Sequence, residues 1–335
     1  MDGVTKSITV LLLALILIST GGVPQARGQF MASSESVYAF LLLPPSARTA
    51  ALGGNHVSLH QADVSLFTLN PAYIHDHTHR KISVSYLHHL ADVYYGHSAF
   101  SYSLNRIGSL AAGVRFVNYG SFTRADADGN VSGTFHAYDM AWSLALSREL
   151  TDGLHAGAGL HFIHSRYDAY VSSGVALFGG LYYRLPNELT RLGVAVHNLG
   201  RQIVAFDQIY EPMPFTITAG VSHKLQHLPL RFNLAVHSLE RWKLPVFNDV
   251  EDPGFTSHLM RHLRPGLEIL FTDEFHLRLG YDHLRNRELA SDRRIDFSGT
   301  GIGLGIVVRD LYLDISRTSL SESGALMQLT LGTTL

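Results

Sequence analysis

The stretch Ile74-His75-Asp76-His77-Thr78-His79 gathers three histidines at alternate positions in a chain of 335 residues that holds 20 histidines and no cysteine. Imidazoles at this density raise the question of a metal centre. As an extended segment the stretch sets His75, His77 and His79 on one face, roughly 6.5–7 Å apart. That is wide for three ligands sharing one zinc ion at ~2.0–2.1 Å each. It reads instead as a polar lead-in to the first strand that follows. His258-Leu259-Met260-Arg261-His262 would place two imidazoles on one face of a helical turn, but lacks the glutamate of a H-E-x-x-H site. Asp126-Ala127-Asp128-Gly129-Asn130 begins like a calcium loop, yet Val131 stands at the glycine position and Ala137 at the bidentate glutamate position. Gly299, Gly301, Gly303 and Gly305 repeat with period two rather than as G-x-G-x-x-G, so they mark a strand face of small side chains. No G-x-S-x-G elbow occurs, and without cysteine there is neither a thiol nucleophile nor a thiolate ligand. The expectation is therefore a non-enzymatic protein with no catalytic, cofactor-binding or metal-ligating residues.

The elements around these residues point to a membrane. Charged residues are 16% of the chain, against about 25% in an ordinary soluble domain. Net charge is -2 with no dense basic stripe, which excludes a nucleic-acid footprint. Lys6 followed by the apolar run Ile8–Ile18 and small residues from Ser19 to Gly22 has the layout of a secretory signal peptide, expected over 1–28. From residue 80 to 335, segments alternate apolar with polar or small side chains. Trp142, Leu144 and Leu146 oppose Ser143, Ala145 and Ser147, and Leu277, Leu279 and Tyr281 oppose Arg278, Gly280 and Asp282. Period-two alternation gives each strand one apolar and one polar face.

About fourteen such segments are expected, near 80–90, 93–104, 108–119, 134–149, 153–167, 174–185, 190–200, 213–225, 229–239, 263–272, 275–285, 296–308, 310–319 and 325–335. Short connections such as Thr151-Asp152-Gly153, Asp273-Glu274 and Arg309-Asp310 tend to alternate with longer ones at 120–133, 200–212, 240–262 and 286–295. Short periplasmic turns and longer outer loops are the pattern of a transmembrane antiparallel β-barrel in the outer membrane. Residues 29–79 do not alternate; with Pro44-Pro45, Gly53-Gly54 and Asn70-Pro71 they read as a compact plug or hatch inside the barrel. On the outer loops, Phe206, Tyr210, Trp242, Phe247 and Phe255 are candidate partner-docking residues, aromatic side chains on segments expected to be exposed. Mutual packing into a lid over the barrel mouth is the alternative for them.

Glu35-Ser36-Val37-Tyr38-Ala39-Phe40-Leu41-Leu42-Leu43-Pro44, then Ser46-Ala47-Arg48 through Gly54, Asp63-Val64-Ser65 and Asn70-Pro71-Ala72 resemble the N-terminus of the PorQ family. Those are outer-membrane components of the type IX secretion system of Bacteroidota, related to PorV and to FadL-type fatty-acid channels. The resemblance implies a fourteen-stranded barrel and a non-enzymatic anchor or assembly subunit. It would hold a PorZ-like surface protein and, with PorU and PorV, contribute to cargo attachment at the cell surface. Outer-membrane lipid is the other expected partner. The alternative is a FadL-like channel for hydrophobic small molecules.

Overall fold

The computed structural model describes residues 36–59, 63–88, 93–104, 107–125, 128, 130–244, 246, 254–289, 297–321 and 324–335. The expected signal peptide and the candidate Phe247 lie outside them.

Fourteen antiparallel strands close into a barrel, each paired with its sequence neighbours and the last with the first. The first seven are β1 (Lys81–His88), β2 (Tyr94–Leu104), β3 (Gly108–Ala125), β4 (Val131–Thr151), β5 (Leu154–Tyr167), β6 (Tyr170–Arg184) and β7 (Thr190–Val204). The remainder are β8 (Thr216–Lys224), β9 (Leu230–Val236), β10 (Leu263–Leu270), β11 (Phe275–Tyr281), β12 (Thr300–Val308), β13 (Leu311–Ser321) and β14 (Gly324–Thr334). Closure runs from Lys81 opposite Thr334 to His88 opposite Met327.

The alternation has the sense of a membrane barrel. On β4, Ser143 and Ser147 are buried in the lumen while Trp142, Leu144 and Leu146 face outward and exposed. The same inversion holds for Ser85 against Tyr86 and for Arg278 against Leu279. A water-soluble protein buries its apolar face; here the apolar face meets lipid and the polar face lines the interior.

The wall is lopsided. β3 and β4 run to 18 and 21 residues, whereas β9 and β11 have only 7. Two expectations are corrected by this. The loop expected over 120–133 is largely strand, because Phe122 pairs with Phe135 across the hairpin and their rings stack at 5.3 Å. The strands expected at 213–225 and 229–239 are shorter: β8 starts after Pro212 and Pro214, which have no N–H to give a ladder, and Ser238 follows β9 with φ of 56°. The long outer loop contains a helix, α2 (Gly254–His262), and a second, α3 (His283–Leu289), follows β11.

Residues 36–59 and 63–79 occupy the lumen. A helical turn α1 (Ala47–Ala51) and several 3-10 turns make up the segment. Ser46 and Thr49 form a capping box at the start of α1. Asp63 accepts the Ser65 N–H, and Asn70 accepts the Ala72 N–H ahead of Pro71. Each cap satisfies an orphan donor of a turn too short to do so itself.

Candidate functional site in the barrel lumen

The segment is fixed to the wall by charge in its middle and by apolar packing toward the outer mouth. Arg48 on α1 donates two hydrogen bonds to Glu268 of β10, Nε to Oε1 and Nη2 to Oε2, both at 3.0 Å. Arg231 of β9 and Arg278 of β11 reach the same carboxylate at 3.1 Å, and Arg278 also pairs with Asp314 of β13. Glu268 is 1% exposed. Burial by itself would lower Arg48's hold on its proton; Glu268 outweighs that and keeps the guanidinium above its ordinary value.

Backbone contacts complete the fit. Asn70 donates to the Leu181 carbonyl at 3.0 Å, Gln328 to Pro44 at 3.1 Å, and Thr330 Oγ1 accepts the Ala47 N–H at 2.8 Å. Arg115 donates to the Leu41 carbonyl and to Thr68 Oγ1. The glycine repeat of β12 now has its reason. A Cβ at Gly301 would lie 2.6 Å from the Ala50 and Ala51 carbonyl oxygens, and one at Gly303 2.6 Å from the Ala51 side chain. The small face is where α1 touches the wall.

Toward the outer mouth, Val37, Tyr38, Phe40 and Leu41 pack with Leu87, Tyr95, Val117, Ile163 and Met213 in one buried cluster. Tyr38 also hydrogen-bonds Ser172 at 2.5 Å. A cavity of about 640 Å³ opens at the periplasmic end, bordered by Lys81, His155, Arg184, Glu188 and Arg309. Another of about 410 Å³ lies on the outer side against Leu42, Pro44, Asn55, Glu240 and Arg264. Both are rich in charged groups, and the packed segment stands between them.

The histidine stretch is not extended. Asp76–Thr78 is a 3-10 turn, closed by the Thr78 N–H to the His75 carbonyl at 2.8 Å. It draws the His75 and His77 rings to 5.3 Å, and His155 of β5 approaches His75 at the same separation. His75 donates nothing to His77; its Nδ1 accepts the His77 N–H at 3.3 Å. Burial, then the neighbouring His155 and His77, lower its pKa to about 3. Among the described residues, no three His, Asp or Glu side chains are disposed around a common point as a metal requires. His258 and His262 do share a face of α2, where both lie against Trp242, and the two ring nitrogens of His262 meet the His237 and Trp242 carbonyls.

Ser143 and His161 come within 2.7 Å, but both are buried in the lumen and His161 stacks on Phe178 at 4.2 Å. A lipid-facing hydrolase would need them on the other face. The loop aromatics divide. Phe206 is half-buried, stacked on Tyr167 at 5.1 Å and packed on the apolar cluster. Tyr210 is exposed. The Trp242 and Phe255 rings lie 5.1 Å apart, tilted by 31°, and remain 44% and 70% exposed.

Sequence reasoning missed Glu268, Arg231, Asp314 and the role of Arg48. A signal existed: a charge on the polar face of a membrane strand must find a partner in the lumen.

Several solved barrels share this architecture. The Pseudomonas putida toluene transporter TodX is 14% identical, with 87% of this chain covering 97% of that one at a TM-score of 0.53. The CymD monoaromatic hydrocarbon channel is 12% identical over 88% and 98% of the two chains, TM-score 0.51. A Pseudomonas aeruginosa FadL homologue is 11% identical over 88% and 99%, TM-score 0.51. The fold they share with this chain is a closed antiparallel barrel, here of fourteen strands. The chain's place is the outer membrane. No protein-family model and no curated protein sequence matches it. None of these likenesses bears on type IX secretion.

Proposed function

We propose that this barrel is a sealed, non-enzymatic anchor of the outer membrane that holds a surface protein through its outer loops, as the PorQ resemblance of residues 35–72 implies. The observation that carries the reading is the segment packed across the lumen between the two cavities. The apolar space under the loops is taken up by the chain's own Val37, Tyr38, Phe40 and Leu41, and α1 is bound to the wall through a buried, fully paired carboxylate. The residues of the resemblance are also those that seat the segment: Arg48 on Glu268, Asp63 capping Ser65, Asn70 capping Ala72. An anchor needs a rigid barrel and an adhesive outer face, and the Trp242–Phe255 pair supplies exposed aromatic area of the kind that dominates docking energetics. A PorZ-like surface protein and the PorU/PorV pair are the partners this reading implies.

The second reading is a channel for hydrophobic small molecules. It is supported by the fold shared with TodX, CymD and the FadL homologue, and it has better support from those likenesses than the anchor does. It requires the 37–43 turn to leave the apolar cluster.

One experiment separates the two. The tagged chain is purified from the outer membrane of its own host beside the variant W242A/F255A, and co-purifying proteins and bound small molecules are identified. A surface protein held by the wild type and lost from the variant supports the anchor. A barrel recovered alone with an apolar ligand bound, and conducting such ligands into liposomes, replaces the anchor by the channel.

A further inference from the structure

The outer cavity of about 410 Å³ is walled by three parts of the chain. The lumen segment contributes Leu42, Pro44 and Asn55, the loop after β9 contributes His237 and Glu240, and α3 contributes Leu284, Arg285 and Glu288. Its volume is that of a pocket for a small molecule. Two buried atoms of these lining residues have no hydrogen-bond partner among the described residues: Oδ1 of Asn55 and Nε2 of His237. The other end of each side chain is engaged. Asn55 Nδ2 donates to the Leu42 carbonyl at 3.4 Å, and His237 Nδ1 meets Ser238 Oγ at 3.1 Å. His237 is 5% exposed, and an unmade hydrogen bond at that depth is a cost that a bound molecule would remove.

The charges of the lining cancel. Arg241, Arg264 and Arg285 stand against Glu240, Asp282 and Glu288. Asp282 already accepts from Arg264 Nε at 3.0 Å and from the Arg285 N–H at 3.1 Å, and Glu240 accepts the Ile217 N–H at 2.9 Å. The lining therefore offers an ion no surplus of opposite charge. What it leaves is an acceptor at Asn55 and, at His237, a nitrogen that donates or accepts according to the tautomer. A hydroxyl serves both, because it carries one hydrogen and two lone pairs. Pro44, Pro214, Phe215 and Leu284 add apolar surface beside these groups, the combination of apolar wall and few placed polar groups that orients a small ligand.

We propose that this cavity binds a sugar unit, a neutral polyhydroxylated molecule, entering from the outer side. One hydroxyl donates to Asn55 Oδ1, a second pairs with His237 Nε2, and the C–H face of the ring lies on the apolar surface. Asn55 belongs to the lumen segment, His237 to the loop after β9 and Leu284 to α3, so a bound sugar also ties the segment to the outer loops. The inference does not depend on whether the barrel is an anchor or a channel.

The test is saturation-transfer-difference NMR of the full chain in a detergent without a sugar headgroup. Glucose, galactose and N-acetylglucosamine are the probes, with glycine and glucuronate as charged controls. At least one neutral sugar is expected to receive transfer, and to bind roughly fivefold more weakly to Asn55→Leu, which keeps the size but loses the acceptor. Leu284→Trp, on α3 outside the barrel wall, fills the cavity and is expected to abolish the transfer. Heat-modifiable mobility on a gel reports folding, and Leu284→Trp carries the test should Asn55→Leu misfold. Glu188→Gln, at the periplasmic cavity, is expected to bind like wild type. Absence of transfer to every sugar, or transfer unchanged in either folded variant, overturns the site. Equal or stronger transfer to glycine or glucuronate overturns the neutral sugar as its occupant.

Discussion

In the outer half of the lumen, Tyr38, Phe40 and Leu41 sit among Leu87, Val117 and Ile163; deeper in, Arg48 sits among Glu268, Arg231 and Arg278. One continuous segment is therefore held by two kinds of force. Apolar packing is non-directional and roughly proportional to buried area, so it tolerates small slips of the turn. The charged contact is directional and all-or-none: with every partner present it fixes one position of α1, and with one absent it leaves unpaired charge in a low-dielectric interior. The contrast identifies the charged half as what sets the segment's register, and the apolar half as what a ligand or partner could compete with.

The sharpest way to break this contrast is Glu268→Gln. Three arginines would lose their shared carboxylate, and loss of one partner of a buried pair typically costs about 3–5 kcal/mol. The expected outcome is a barrel that still forms while α1 becomes cleavable by trypsin at Arg48. An intact, protected segment in this variant would show that the apolar half suffices. Phe40→Ala addresses that half, with an expected loss of about 3 kcal/mol. It should leave Arg48 protected while opening the apolar cluster to a hydrophobic fluorescent probe, read as increased probe binding over wild type.

Gly301→Val asks how closely α1 must approach the wall. Its branched side chain would meet the Ala50 and Ala51 carbonyls, and overpacking of this kind costs about 1–3 kcal/mol. Chemical unfolding should show a lowered midpoint, with strand content unchanged by circular dichroism. The smallest expected effect at neutral pH is at His75. Its pKa is lowered to about 3 in the folded protein, against about 6.5 when unfolded. Between those values the unfolded state binds the extra proton. Its contribution to stability is therefore complete above pH 6.5 and lost as pH falls toward 3. His75→Gln should flatten the pH dependence of unfolding over pH 4–7; an unchanged profile would remove His75 as its source.

Much of the barrel was legible in the chain. Trp142-Ser143-Leu144 and Leu277-Arg278-Leu279 state which side chains face lipid, because a strand has only two faces and period two assigns them. Gly53-Gly54 and Asn70-Pro71 marked turns for the same local reason: Gly53 and Gly54 take φ of 90° and 110°, which other residues rarely adopt. Strand ends were less legible. β3 and β4 run on past their expected ends because Phe122 and Phe135 stack across strands, a pairing that alternation along one strand does not encode.

The site was the least legible part, since its members are far apart in sequence. His75-Asp76-His77 had the right residue types, but only the 3-10 turn and the approach of His155 from another strand gave them a geometry. Arg48 and Glu268 are separated by 220 positions, and nothing local to either predicts the other. By itself, then, the sequence determined a β-barrel with lipid outside, a polar lumen and a non-alternating leader, because backbone periodicity and burial are local properties of the chain. Which charges meet, which glycines admit α1 and which space is filled were decided by closure of the wall around that leader, because electrostatic pairing and close packing depend on distances that only the closed barrel defines.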